Sequence, residues 1–116
     1  MAWEIELSDW LEKHWQELDE KHQIRLDASV RLLEQYGPQL PFPHSSGVEG
    51  SKFSHLRELR VQIQGEPYRY FYAFDPRRVA VLLCGGNKRG DNRFYERMIN
   101  IADRLYEEHL RNLKEK

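Results

Sequence analysis

The chain of 116 residues is predicted to be one α+β domain of order β-α-α-β-β-β-α, with helices packed on one side of an antiparallel sheet. The hydrophobic period supports this class, because after a short strand-like run at residues 3–7 it is helical up to residue 36, changes to strand-like in 56–84 and returns to helical in 92–113. Short turns containing Gly or Pro separate the runs within 56–84, which indicates an antiparallel meander.

Residues 1–36 are predicted to form a strand followed by a helical hairpin. The alternation of residues 3–7 is typical of a short strand, and Ser8 is suited to cap the helix after it. A second helical pattern covers residues 21–36 and stops at Gly37, a residue often found at helix ends.

Residues 37–55 hold three of the five prolines and three of the seven glycines, which predicts a long loop. Long loops in small domains are usually functional or mobile. The strands predicted after it are 56–63, 68–74 and the apolar run 79–84. Because that run is apolar on both faces, we expect it to be a central strand.

The charges are distributed unevenly, although the net charge is only −1. Residues 1–43 hold four Lys or Arg against nine Asp or Glu, whereas residues 44–100 hold ten against six. An acidic first third followed by a basic middle is compatible with a polyanionic partner and also with an ordinary solvated surface.

We expect the chain to be cytoplasmic and to have no membrane partner. No apolar stretch has the length of a membrane span, and the acidic N-terminal segment is unlike a signal peptide. The single cysteine, Cys84, lies in an apolar run and is predicted to be a buried thiol in a reducing compartment.

Several classes of site are excluded by their missing motifs. No pair of the five histidines has the spacing of a helical zinc site, and Cys84 has no second cysteine as partner. The segment GGNKRG lacks the Walker phosphate-loop pattern, and no GxSxG motif is present. We therefore predict no metal and no cofactor.

Basic side chains on the predicted sheet indicate a phosphate site. Arg60 and Arg69 lie on two neighbouring strands, and Lys88 and Arg89 follow the third. Neighbouring strands are about 5 Å apart, so these cations can converge on one anion, with the glycines before Lys88 leaving room for a nucleic-acid backbone. For any single arginine, a separate surface ion pair is the more common alternative.

The segments LRELRVQIQGEPYRYFYAFDPRRVAVLLCGGNKRG and RFYERMINIADRLYEEHL resemble the RelE/HigB toxins of bacterial type II toxin–antitoxin systems, in particular the phage-derived HigB-like branch. The resemblance implies a RelE-like fold and a metal-independent endoribonuclease that cleaves mRNA in the ribosomal A site. It also implies neutralisation by a helix-turn-helix, HigA-like antitoxin, for which the acidic N-terminal helices are a candidate docking surface.

The resemblance also assigns roles to particular residues. It implies that Arg69 and Arg89 contact the scissile phosphate, that Tyr95 stacks on or assists the RNA, and that Glu58 is a candidate general base. The additional positions expected to bind RNA phosphates are Arg60, Lys88, Arg57 and Lys52.

Two other functions are compatible with the same fold. One is a non-catalytic inhibitor of DNA gyrase, as in the related ParE branch, and the other is a degenerate toxin that only binds its antitoxin. The joint presence of Arg69, Arg89 and Tyr95 favours the ribonuclease.

Overall fold

A computed structural model describes residues 2–115, which form three α-helices and a five-stranded sheet. A short 3-10 helix, Gly37–Gln39, follows the second α-helix. In chain order the elements are β1 (Ile5–Leu7), α1 (Asp9–Glu17), α2 (Glu20–Tyr36), β2 (Ser45–Gly47), β3 (Arg57–Ile63), β4 (Glu66–Phe74), β5 (Ala80–Asn87) and α3 (Phe94–Lys114).

The strand order in the sheet is β1-β5-β4-β3-β2. The predicted α+β class and the antiparallel meander of β3, β4 and β5 are confirmed, and β5 lies inside the sheet as expected. Two details differ from the prediction. The first strand pairs parallel to β5, and the segment 37–55, predicted to be a loop, contains β2, which pairs antiparallel to β3.

The prediction that all helices pack on one side of the sheet is wrong. The α1–α2 hairpin covers one face, where Tyr70 and Leu82 are buried, and α3 covers the other, where Phe71 and Leu83 are buried. A sheet whose central strands are apolar on both faces must have both faces covered, so the composition of β5 already required a second layer.

Ser8 anchors the helical hairpin to the sheet and acts as the predicted N-cap of α1. Its hydroxyl accepts a hydrogen bond from the backbone N–H of Leu11 at 3.0 Å and donates one to the carbonyl of Leu83 at 2.6 Å. One side chain therefore satisfies an otherwise unpaired donor at the helix start and fixes α1 against β5.

Gly85 allows β4 and β5 to approach closely. A Cβ atom at this position would collide with the carbonyl oxygen of Arg69 and with the backbone and ring of Tyr70. The expectation that the glycines before Lys88 make room for a nucleic-acid backbone is therefore wrong at Gly85, which is buried and accommodates the protein's own neighbouring strand.

Among the residues that the structure describes, no helix is both long enough and apolar enough to cross a membrane.

A buried carboxylate, Asp75, joins the β4–β5 turn to α3. It accepts hydrogen bonds from the backbone of Arg77 and Val79, from the Arg77 guanidinium at 2.7 Å and from the His109 ring at 2.8 Å. Arg77 also reaches Glu6 of β1 at 3.0 Å. Burial by itself would raise the pKa of Asp75, but the hydrogen bonds from His109 and Arg77 outweigh burial and lower it.

We expect Asp75→Asn to lower the free energy of unfolding at pH 7 by about 3 kcal/mol, because it leaves buried donors and a cation without their charged acceptor. A folded-state pKa below the unfolded value means that the carboxylate stabilises the fold above about pH 4 and loses this effect as pH falls through the folded pKa. The free energy of unfolding, measured with urea between pH 7 and pH 2, should therefore decrease less for the variant than for wild type as the pH is lowered.

Asp27→Asn is the matched control, because Asp27 forms only an exposed pair with Arg31 on α2 and such pairs contribute little. Equal acid sensitivity of wild type and Asp75→Asn would contradict the prediction.

Candidate active site

The carboxylate of Glu58 is the centre of a polar cluster on the face of the sheet that α3 partly covers. The side chain is only 4% exposed. Its Oε2 accepts a hydrogen bond from Ser46 of β2 at 2.6 Å, and its Oε1 accepts one from the hydroxyl of Tyr95 at 2.7 Å. A buried carboxylate needs such donors, so Glu58 fixes the relative positions of β2, β3 and the start of α3.

Arg69 is the buried cation of the cluster. It lies directly opposite Arg60 in the β3–β4 register and is 5% exposed. One guanidinium nitrogen donates to the Tyr68 carbonyl at 2.9 Å, and Nε lies 3.8 Å from Oε1 of Glu58. Across residues 2–115, this Nε is the buried side-chain polar atom that has no hydrogen-bond partner.

Arg60 and Lys88 add two further cations. Arg60 lies 3.4 Å from Oε2 of Glu58 and is partly exposed. The ammonium group of Lys88 lies over the ring of Tyr95, 5.5 Å from its centroid. Since like charges that face each other across strands destabilise a sheet, the carboxylate of Glu58 offsets part of the repulsion between Arg60 and Arg69.

Tyr95 reaches this cluster because the first turn of α3 packs on β4. Its ring meets Phe71 edge-on, with the centroids 6.0 Å apart. Burial raises the pKa of Tyr95, and the hydrogen bond to the Glu58 carboxylate raises it further. The hydroxyl therefore stays protonated at neutral pH and acts as a donor.

A cavity of about 750 Å³ opens beside the cluster. Four cationic side chains line it, together with His44 and an apolar floor that includes Leu32 and Val61. The cations are Arg25, Arg60, Arg69 and Lys88. No carboxylate is among the described lining residues, so the cavity is suited to an anion with an apolar part.

Glu58, Arg60, Arg69, Lys88 and Tyr95, all predicted from the sequence, are thus brought together. Three other predicted residues are not. They are Arg89, which pairs with Glu66 at 2.6 Å; Arg57, which donates to Ser45 on the hairpin side of the sheet; and Lys52, which pairs with Glu107 of α3 at 3.1 Å.

The sequence analysis missed one residue of the polar cluster and one that lines the cavity. Ser46 belongs to β2, for which the Pro- and Gly-rich segment gave no strand signal. Arg25 lies on α2 and donates from Nε to the carbonyl of Gln62 at 3.0 Å, at a part of β3 that β2 does not cover. Only the packing of the hairpin beside the sheet places this helical arginine at the cavity.

The cluster offers hydrogen-bond donors and positive charge for an anion, and one carboxylate for proton transfer. Within residues 2–115, no group of three or more His, Cys, Asp and Glu side chains is arranged to hold a metal ion. The predicted burial of Cys84 is confirmed, and burial raises the pKa of its thiol to about 12, which keeps the sulfur protonated and unreactive.

The amino-acid sequence matches a known protein family. Residues 13–107 match the family described as "Phage derived protein Gp49-like (DUF891)". Two curated proteins of Mycobacterium tuberculosis are similar. "Putative toxin HigB2" is 37% identical over 90% of this chain and 51% of its own length, and "Putative toxin HigB3" is 42% identical over 68% of each. The chain thus spans about half the length of the HigB2 relative.

Solved structures share the fold. A mutant of the Escherichia coli toxin RelE in the free state, with two arginines replaced by alanine, aligns with a TM-score of 0.59 over 87% of this chain and 99% of its own, at 15% identity. RelE in the RelE–RelB complex from Pyrococcus horikoshii aligns with a TM-score of 0.56 over 78% of this chain and 99% of its own, at 22% identity.

The architecture is therefore that of a small RelE-like α+β protein with a buried, cation-rich polar cluster. The chain belongs to the phage-derived Gp49-like family, and its resemblance to the RelE/HigB group is confirmed.

We expect Glu58→Gln to destabilise the fold by about 3 kcal/mol and Arg69→Met by clearly less. Loss of Glu58 leaves Arg69 buried without a counter-charge, whereas loss of Arg69 leaves Glu58 with Arg60 and its hydroxyl donors. Thermal unfolding at low ionic strength checks the order of the two effects.

Inorganic phosphate provides the second readout of this prediction. It should raise the unfolding midpoint of Glu58→Gln more than that of wild type, because the competing carboxylate is gone, and should have little effect on Arg69→Met. A larger loss of stability in Arg69→Met than in Glu58→Gln would contradict the predicted order. Equal stabilisation of both variants by phosphate would contradict the role of Arg69 in binding anions.

Proposed function

We propose that this chain is the toxin of a type II toxin–antitoxin system and acts as a metal-independent endoribonuclease that cleaves mRNA at the ribosomal A site. The similarity to two curated putative HigB toxins supports the toxin role. The polar cluster around Glu58 supports the chemistry.

The buried and incompletely bonded Arg69 is the observation that carries this proposal. A guanidinium that is 5% exposed and has an unpaired Nε–H is costly for the fold. A phosphate in the cavity that Arg69 lines would give its guanidinium a charge-assisted hydrogen bond. In the proposed complex the scissile phosphate therefore lies against Arg69, with Arg60 and Lys88 beside it.

The cations would act on the negative charge that develops during cleavage. In RNA the ribose 2′-OH gives up its proton to a base and attacks the adjacent phosphorus. The bond to the 5′ oxygen of the next nucleotide breaks, that oxygen takes up a proton, and a 2′,3′-cyclic phosphate forms. The pentacoordinate intermediate carries more negative charge than the starting diester, so a fixed guanidinium stabilises it more than the ground state. A requirement for the 2′-OH also accounts for a preference for RNA over DNA.

Glu58 is the proposed general base. Both of its oxygens already accept hydrogen bonds, so the 2′-OH would replace the hydroxyl of Ser46 or Tyr95 as a donor. Tyr95, held protonated by burial and by Glu58, would then turn its hydroxyl toward the phosphate oxygens. Electrostatic stabilisation of the developing charge is usually the largest single contribution to catalysis, so we rank Arg69 above Glu58 in importance.

We propose only peripheral contacts with RNA for three of the predicted residues, Arg89, Arg57 and Lys52. Arg89 is 64% exposed and can contact the RNA backbone outside the cavity only by exchanging Glu66 for a phosphate. We propose the same peripheral role for Arg57 and Lys52, since neither side chain lines the cavity.

A helix-turn-helix, HigA-like antitoxin and a cytoplasmic location complete the proposal. The names of the HigB relatives and the RelE–RelB complex support the existence of a partner chain. The α1–α2 hairpin is acidic and lies across the sheet from α3. We propose it as the docking surface for a basic face of the antitoxin.

Primer extension on mRNA-programmed ribosomes tests the nuclease directly. We expect cuts at A-site codons by wild type, a rate lower by about 10³-fold for Arg69→Ala, and a smaller loss, about 10²-fold, for Glu58→Gln. The matched control is Arg31→Ala, because Arg31 is an exposed arginine of α2 that pairs with Glu34 and does not line the cavity.

The possible outcomes separate the alternatives. Equal cutting of naked RNA would retain the nuclease but remove the ribosome from the mechanism. Absence of cutting by folded wild-type protein on both substrates would refute the nuclease, and a gyrase supercoiling assay and an antitoxin-binding assay would then distinguish the two other functions.

A further inference from the structure

Phe42 is a large aromatic side chain that the fold does not use in its core. It is 68% exposed, more than any other large hydrophobic residue in the described part of the chain. The remaining exposed hydrophobic residues are Leu7, Ile24 and Tyr36, and none of them lines the cation-rich cavity. The exposed ring leaves apolar area available to a ligand, and burying that area would be favourable.

The backbone around Phe42 is held in a defined turn. Its neighbours in the chain are Pro41 and Pro43, which restrict the backbone dihedrals. The carbonyl of Pro41 accepts hydrogen bonds from the backbone of His44 at 3.0 Å and of Ser45 at 3.1 Å, where β2 begins. The ring is therefore presented from an anchored turn, which lowers the entropy lost when a ligand binds.

The surroundings of Phe42 are cationic. The guanidinium of Arg60 lies over the ring, with its central carbon 4.9 Å from the ring centroid. Pro43, the next residue, lines the cavity together with Arg60 and Arg69. Through Arg60 the ring is thus connected to the Glu58 cluster, because Arg60 contacts both Phe42 and the carboxylate.

We propose that Phe42 is a base-stacking platform for single-stranded RNA. One side of its ring is in contact with Arg60, and the exposed remainder stacks on a nucleobase next to the phosphate held by Arg69. This inference rests on the proposed ribonuclease function and adds to it a binding residue outside the cluster. Stacking on a flat aromatic face tolerates any base, so Phe42 contributes to affinity and to placement of the strand more than to sequence choice.

RNA fits these features better than a protein segment does. A nucleotide combines an apolar flat base with a negative phosphate, which matches an exposed ring and four cations around a partly apolar cavity. A protein segment of the same kind would have to bring several carboxylates and an apolar anchor together. Docking of a protein partner on Phe42 is therefore the competing explanation, and the test below distinguishes it from RNA binding.

The test measures binding without cleavage. The probe is a fluorescein-labelled single-stranded 2′-O-methyl oligonucleotide of about eight nucleotides, which lacks the attacking 2′-OH. A second probe set replaces one base at a time by an abasic position. Fluorescence anisotropy at low salt is recorded for wild type, Phe42→Ala, Phe42→Trp, Arg69→Ala and the matched control Tyr36→Ala. Tyr36 is also an exposed aromatic residue but lies beside Arg78 in a different surface depression.

We expect Phe42→Ala to weaken binding by about tenfold or more, with Phe42→Trp and Tyr36→Ala close to wild type. One abasic position should weaken binding to wild type but not to Phe42→Ala, because that variant has no stacking partner to lose. This coupling separates base stacking from a general effect of the substitution on the fold.

Other outcomes overturn the inference in distinguishable ways. If Phe42→Ala binds like wild type while Arg69→Ala is weakened, the stacking role is refuted and the proposed function is retained. If wild type does not bind the probe, the stacking role is refuted, and the ribosome cleavage assay alone decides the proposed function. If Phe42→Ala binds RNA normally but no longer binds the purified cognate antitoxin, Phe42 is a protein-docking residue.

Discussion

The buried carboxylate of Glu58 is the interaction on which the candidate site depends. A charged group at 4% exposure is tolerated only when its oxygens are satisfied, and here hydroxyl groups of β2 and α3 donate to it while a cation of β4 forms an ion pair with it. Ser46 connects it to β2, Tyr95 to α3, and Arg69 to β4. The position of each of these side chains is therefore set by one carboxylate, which is why a short strand from a Pro-rich segment has a fixed place in the sheet.

A second buried carboxylate, Asp75, holds the second half of α3 on the sheet, as Glu58 holds its first turn. Tyr95, in the first turn, is bound by Glu58, and His109, in the second half of the helix, is bound by Asp75. The helix is thus fixed to the sheet at two separate points by hydrogen bonds as well as by apolar packing. Because Tyr95 takes part in the proposed chemistry, and α3 holds it at the cluster, the contact between His109 and Asp75 supports the site from a distance.

The features that make the site suitable for an anion are unfavourable for the fold. Arg60 and Arg69 face each other across two strands, Arg69 retains an unpaired donor, and Phe42 is left exposed. Natural proteins break the rules of local consistency mainly where they function. Arg60 and Arg69 line one cavity, and Phe42 contacts Arg60, which supports the proposal that this cavity is the place where RNA binds.

Local patterns in the sequence determined much of the fold and part of the site. The alternation in residues 56–63 and 68–74 identified two strands and placed Glu58 and Arg60 on one face of the first, because side-chain direction along a strand depends only on parity. The pairing of Arg60 with Arg69 across the two strands came from the register of the sheet. The helices and the cap at Ser8 were predictable for the same reason, since periodicity and capping are properties of neighbouring residues.

Only the tertiary structure decided the rest. The parallel pairing of β1, the short strand β2 and the two-sided layering depend on contacts between distant segments. At the site, Lys88 lines the cavity, whereas its neighbour Arg89 forms an ion pair with Glu66. Arg25, which also lines the cavity, belongs to α2. Sequence periodicity describes the direction of a side chain within its own element. Which charges meet depends on how the elements pack, and that is set by burial over the whole chain.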